Sequence, residues 1–86
     1  MTFQQLSFVV EVANCESINK AAERLYTSQS NVSNSIKALE DELGIKIFDR
    51  TKKGISITET GREFLSYAQE ILDKMDFVED LYKNSR

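Results

Sequence analysis

At 86 residues with a net charge of -3, the chain has room for one small domain, and 41% apolar with 29% charged residues is the composition of an ordinary folded protein. Histidine and proline are absent, glycine numbers three and Cys15 is alone, which removes the commonest general base, any internal disulfide, any set of soft zinc ligands and any phosphate-cradling loop. The expectation is no enzyme and no catalytic residue, metal or cofactor. No apolar run approaches the ~20 residues of a spanning helix and no signal-peptide pattern opens the chain, so a cytoplasmic protein with no membrane partner is expected.

In chain order, Thr2-Phe3-Gln4-Gln5 has the form of a capping box. Phe3, Leu6, Val9, Val10 and Ala13 then recur at helical spacing and predict a first helix packed on the core. Asn14-Cys15-Glu16 interrupts the stripe, and Ser17 can cap a second, shorter helix that buries Ile18, Ala21, Ala22 and Leu25. Cys15, at that connection, is either a redox-sensing thiol or an inert, partly buried one. Ala21-Ala22 keeps the surface small enough for a close, steep crossing, and Tyr26-Thr27 leads at once to a Ser28 cap.

The following stretch, SQSNVSNSIKALEDEL, places Val32, Ile36, Leu39 and Leu43 on one inward face of a third helix. Its other face carries Gln29, Ser30, Ser33, Asn34 and Lys37, hydrogen-bonding groups with one cation and no carboxylate. That face is either solvated or complementary to an acceptor-rich, negative surface. A major groove is such a surface, since Gln and Asn pair with an adenine edge, Ser bonds base or phosphate, and Lys reaches phosphate or guanine. A short helix, a tight turn and a polar-faced helix form a helix-turn-helix, although the usual glycine is missing from the turn. Glu40, Asp41 and Glu42 fan around the axis and read as a solvated face.

Gly44 stands where a left-handed cap would end that helix. Lys52-Lys53-Gly54 is a turn signal between apolar runs and predicts a two-stranded hairpin, Phe48-Arg50 with Ile55-Thr58, anchored by Ile47, Phe48, Ile55 and Ile57. Lys52 and Lys53 at its tip either aid solubility or form a wing that reaches phosphate or the minor groove. From Thr58 or Thr60 no breaker occurs. Phe64, Ala68, Ile71, Met75, Val78 and Tyr82 alternate steps of four and three, and Leu65, Leu72 and Leu81 widen this heptad seam. A helix of ~24 residues spans ~36 Å, too long for this domain to cover, so it pairs with a second copy, lies along the first helix, or meets a domain beyond the chain.

The acidic total is uneven along the chain. Lys20, Arg24 and Lys37 against Glu23 leave residues 20–37 at +2, and Lys52, Lys53 and Arg62 against Glu59 leave residues 51–62 at +2. Exposed charges more than about 8–10 Å apart are largely screened, so such a local basic face can hold phosphates on an acidic protein.

The run SINKAAERLYTSQSNVSNSIKALEDELGIKIFDRTKKGISITETG resembles the N-terminal DNA-binding region of the LysR-type transcriptional regulators. The likeness lies in Ser17 with Ala21-Ala22, Ser28-Gln29, Ser33, Ile36, Leu39-Glu40, Leu43-Gly44, Phe48-Asp49-Arg50-Thr51, and Thr58 with Gly61. It implies a mainly α fold: a winged helix-turn-helix of three helices and a two-stranded wing over residues 1–58, then a linker helix over 59–86. It implies double-stranded operator DNA as partner, and a homodimer paired through Phe64, Leu65, Ala68, Ile71, Leu72, Met75, Val78 and Tyr82. It also implies an effector-binding domain that these residues do not encode, so that a small-molecule effector acts only through a domain absent here. By position, Gln29, Ser30, Ser33 and Asn34 correspond to base contacts, Ser17, Ser28 and Lys37 to phosphate contacts, and Arg50 and Lys53 to the wing, with Lys52 beside them. Ser30 stands where the family often has proline and Asn34 where arginine is frequent; the second change favours adenine and fewer ionic contacts. The competing expectation is a protein-interaction module that uses the long helix.

Overall fold

Side-chain caps open all four helices, and each sits where the sequence puts a Ser or Thr. The computed structural model describes residues 1–84; Ser85 and Arg86, the end of the expected linker segment, lie outside the described residues. The order is α1 (Phe3–Cys15), α2 (Ile18–Arg24), α3 (Gln29–Leu43), β1 (Phe48–Thr51), β2 (Gly54–Ile57) and α4 (Glu59–Lys83). Among the described residues, no helix is long and apolar enough to cross a membrane.

At α1 the capping box is complete: the Thr2 hydroxyl accepts from the Gln5 N–H at 3.1 Å and the Gln5 side chain accepts from the Thr2 N–H at 2.9 Å. The same Gln5 amide donates to the Ser35 carbonyl at 3.2 Å, which ties the start of α1 to the middle of α3. Ser17 and Ser28 accept from the N–H groups of Lys20 and Asn31. Each such cap is worth about 1 kcal/mol. Between α2 and α3, Tyr26 takes the left-handed conformation (φ 54°) where glycine was missed. Thr27 then donates its N–H to the Ala22 carbonyl and accepts from the Asn31 amide at 2.8 Å.

Phe8, Val9 and Val12 of α1, Ala21 and Ala22 of α2, Val32, Ile36 and Leu39 of α3, and Ile47 with Phe48 form the core. The inward face of α1 is therefore rotated from the one its periodicity predicts. Phe3 is 54% exposed, while Phe8 and Val12 are buried. The cause is that α1 packs on α2, α3 and α4 together, so its apolar surface is shared among three contacts. Leu43, expected inward, is exposed in the last turn before the left-handed Gly44 cap.

The hairpin pairs Phe48 with Ile57 and Thr51 with Gly54, and Thr58, expected in its second strand, instead caps α4 through the Gly61 N–H at 2.8 Å. Glu40 is a second correction. Far from standing on a solvated face, its Oε2 accepts from the N–H groups of Ile47 at 2.7 Å and Phe48 at 3.2 Å. The Thr58 N–H donates to the Ile47 carbonyl at 3.0 Å, and the Thr58 hydroxyl lies within reach of the carbonyls of Lys46 and Ile47. Gly61 closes the junction, because a Cβ there would stand 2.1 Å from the Ile47 carbonyl oxygen.

The 25 residues of α4 reach ~37 Å at 1.5 Å per residue, and the molecule is 50 Å long against 26 and 20 Å across. Of the three partners left open by the sequence, α1 takes the first half of this helix: Gly61 and Ala68 are buried, and Phe64 and Leu65 pack on the core. Farther along, Phe77, Val78, Leu81 and Tyr82 are exposed.

Two glycines provide a test. Gly61→Ala, forced against backbone, is expected to lower stability by about 2–3 kcal/mol. Gly44→Ala meets open space at a positive φ and should lose only about 1 kcal/mol. Urea denaturation followed by circular dichroism checks both, and equal losses would refute the close approach.

Candidate nucleic-acid interface

The start of α2, the first turns of α3 and the hairpin enclose an open groove of about 760 Å³. Ser17, Gln29, Ser30, Ser33, Asn34, Arg50 and Lys53 line it, so seven of the expected DNA-contacting residues come together from three elements. Three do not line it. Lys37 lies farther along α3, in an adjoining groove that shares Ser33, Asn34 and Arg50. The Ser28 hydroxyl is engaged as the α3 cap, and Lys52 is exposed at the hairpin tip. Sequence reasoning missed Asn19, Lys20 and Thr51, which complete the polar wall. The signal for Asn19 and Lys20 was available: they are polar residues in the first turn after a capping Ser, and Lys20 already counted toward a basic segment.

Several of the expected contact side chains are uncommitted. Among the described residues, Gln29, Ser30, Asn34, Lys37, Lys20, Lys52 and Lys53 have no side-chain hydrogen bond or ion pair. Asn31, on the same helix, is tied to Thr27, while Arg24 and Lys83 are paired with Glu11 and Glu79 at 3.4 Å. Gln29, Ser30, Asn34, Lys20 and Lys53 of the groove thus stand ready for a ligand. Its charge is positive, with Lys20, Arg50 and Lys53 against Glu16. The adjoining groove balances Lys37, Lys46 and Arg50 with Glu40, Asp41 and Asp49. One polar bond does cross the first groove: Arg50 Nη2 on β1 donates to Ser33 Oγ on α3.

The residues expected to pair two protomers divide into two sets. Phe64, Leu65 and Ala68 are engaged within the protomer, and Leu72 and Met75 are half-buried. Ile71, Val78 and Tyr82 are exposed, and Tyr67, Phe77 and Leu81 extend their apolar stripe. Tyr67 stands four residues before Ile71 of the heptad seam, an i, i+4 spacing that widens the exposed part of the seam. Among the described residues, no cluster of side chains could hold a metal ion.

Comparison with known proteins agrees with this geometry. Residues 3–62 match the family described as bacterial regulatory helix-turn-helix protein, lysR family. The HTH-type transcriptional regulator CysB of Haemophilus influenzae is 45% identical over 76 residues, covering 86% of this chain and 24% of its own length. The DNA-binding domain of BenM, solved with benA site 1 DNA, superposes with a TM-score of 0.93 at 31% identity over all of both chains. The corresponding domain of CbnR, also solved with DNA, gives 0.91 at 33% identity, covering 99% of this chain and 98% of that one. The chain spans about a quarter of the length of the curated relatives it matches.

Cys15 stands apart from the groove. Its thiol donates to Glu11 Oε1 at 3.5 Å, an oxygen that also accepts from Arg24 at 3.4 Å. Desolvation, then the bond to Glu11, pushes the thiol above its ordinary pKa. A raised pKa leaves less thiolate at pH 8, so alkylation by iodoacetamide should run slower than for a free thiol. Glu11→Gln removes the negative charge and should accelerate it; a wild-type rate equal to that of a free thiol would contradict the assignment.

Proposed function

This chain belongs to the lysR family of bacterial regulatory helix-turn-helix proteins, and on that premise we propose that it binds double-stranded operator DNA sequence-specifically, as a homodimer, and regulates transcription. The observation that carries the reading is the groove itself. Gln29, Ser30 and Asn34 of α3, which make no side-chain hydrogen bond among the described residues, converge there with the unpaired Lys20 and Lys53, while carboxylates predominate elsewhere. A major groove ~12 Å wide admits such a helix. Gln29, Ser30, Ser33 and Asn34 then meet base edges, and Ser17, Ser28 and Lys37 meet phosphates. Lys52 and Lys53 on the hairpin reach the flanking phosphates or minor groove. Lys20 adds a cation to the phosphate-facing rim.

In this reading residues 1–58 are the winged helix-turn-helix and residues 59–86 the linker and dimerisation segment, of which α4 forms Glu59–Lys83. Ile71, Val78 and Tyr82, with Tyr67, Phe77 and Leu81, form an exposed apolar stripe that a second α4 would cover. Phe64, Leu65 and Ala68 serve the pairing by seating α4 on its own protomer, and Leu72 and Met75 border the stripe. The protein works in the cytoplasm, where operator DNA lies. Control by a small-molecule effector belongs to the greater length that the relatives possess.

Three measurements follow from this assignment. Selection of bound duplexes from a random pool should enrich a two-fold symmetric motif, and Gln29→Ala should lose it; no enrichment by a folded dimer would refute DNA recognition. Asn34→Arg should tighten binding and steepen the logarithmic salt slope by about 0.9 if the new cation meets one phosphate. Val78→Asp should leave the protomer folded but monomeric by sedimentation at tens of micromolar, whereas a persistent dimer would exclude this stripe.

A further inference from the structure

Resting on the DNA-binding reading, we propose that Arg50 is a positioning residue for base readout, which biases the Ser33 hydroxyl toward donating a hydrogen bond to the base pair it faces. The wing arginine would ordinarily be counted among phosphate contacts. Its geometry here is different. Arg50 extends from β1 to α3 and donates Nη2 to Ser33 Oγ before any DNA is present, and among the described residues no other hairpin side chain bonds to α3.

The consequence follows from what the two groups can do. A guanidinium offers only donors, whereas a hydroxyl has one proton and two lone pairs. With a lone pair engaged by Arg50, the Ser33 proton points elsewhere, and among the described residues it has no acceptor. Other hydroxyls of the chain do: Thr51 donates to the Gly54 carbonyl and Ser66 to the Glu63 carbonyl. Ser33 shares the groove with Gln29 and Asn34, so its uncommitted proton is available to the surface assigned to base edges.

A serine is otherwise indifferent, because it can donate or accept. One lone pair stays free, but a guanidinium bonded to the other polarises the hydroxyl and strengthens donation over acceptance, so it favours base edges that accept: purine N7, guanine O6 or thymine O4. It disfavours the amino groups of cytosine and adenine. Arg50 thereby converts an ambivalent contact into a discriminating one without touching a base.

The test uses duplex selection with wild type, Ser33→Ala, Arg50→Met and the double variant, together with salt titrations. Both single variants should relax base preference at the same position in each half-site by about five- to tenfold. The double variant should relax it no further, and the salt slope should stay near that of wild type. Uniform weakening across sequences with a slope reduced by about 0.9 would make Arg50 a phosphate ligand and overturn the proposal, as would relaxation at a different position. If Arg50→Met melts early, Arg50→Lys replaces it. That variant keeps the charge but loses the planar fork, so a phosphate role expects unchanged preference and a positioning role expects relaxation. Failure of the wild type to enrich any motif would remove both the DNA-binding reading and this inference. Enrichment by wild type, with preference unaltered in the Arg50 variants, would remove this inference alone.

Discussion

The backbone at Ile47 is the point through which α3, the hairpin and α4 are joined. Its side chain is in the core, its N–H is held by Glu40, its carbonyl receives the Thr58 N–H, and Gly61 lies against that carbonyl. A hydrogen bond contributes only about 1 kcal/mol net, but a buried backbone group left without one costs about 1–3 kcal/mol. For a domain of this size, whose total stability is about 5–10 kcal/mol, that asymmetry decides the geometry. The groove exists because this junction sets the hairpin beside α3 at a fixed angle. The Arg50–Ser33 bond then spans the remaining gap.

Much of this architecture was legible in the residues. Thr2, Ser17, Ser28 and Thr58 cap as their chemistry requires, because an N-cap is decided within three residues. Val32, Ile36 and Leu39 face inward as their spacing demands. What escaped depended on distant parts of the chain. Phe8 and not Phe3 is buried in a core where α1 meets α2, α3 and α4 together, and α4 begins more than fifty residues later. Glu40 looked like one of three consecutive acids, and only the approach of Ile47 and Phe48 singles it out. Tyr26 carries no sign that it will adopt a left-handed conformation; the tightness of the α2–α3 turn imposes it. The groove residues were found through helical facing and the family likeness; Thr51 was missed because it joins the groove only through tertiary proximity, whereas Asn19 and Lys20 carried a local signal beside the Ser17 cap.

An acidic protein that meets a polyanion must separate its charges, and here the fold does so. Lys20 of α2, Arg50 of β1 and Lys53 of the turn before β2 gather on one side, while the balanced adjoining groove, which holds Lys37 of α3, has little net attraction for phosphate. In the proposed complex Asn34 adds directionality where a cation would add attraction, so discrimination between sequences gains at the expense of general adhesion to DNA. The same logic applies to Ser33, whose contribution is which proton points where. A site built this way depends on small angles more than on total charge.

The junction at Gly61 has a mechanical side. Since α4 is one continuous helix seated by its first turns on the backbone of Ile47, it behaves as a stiff lever about 37 Å long. A tilt of only about 5° at its root displaces the far end by ~3 Å, close to the ~3.4 Å that separates successive base pairs along one strand. In a pair of such chains, the distance between the two reading heads would be graduated in single base pairs by the angle at which each lever leaves its socket. A methyl group added at Gly61 would then act as a shim, and it would change the spacing of half-sites that the assembly can measure.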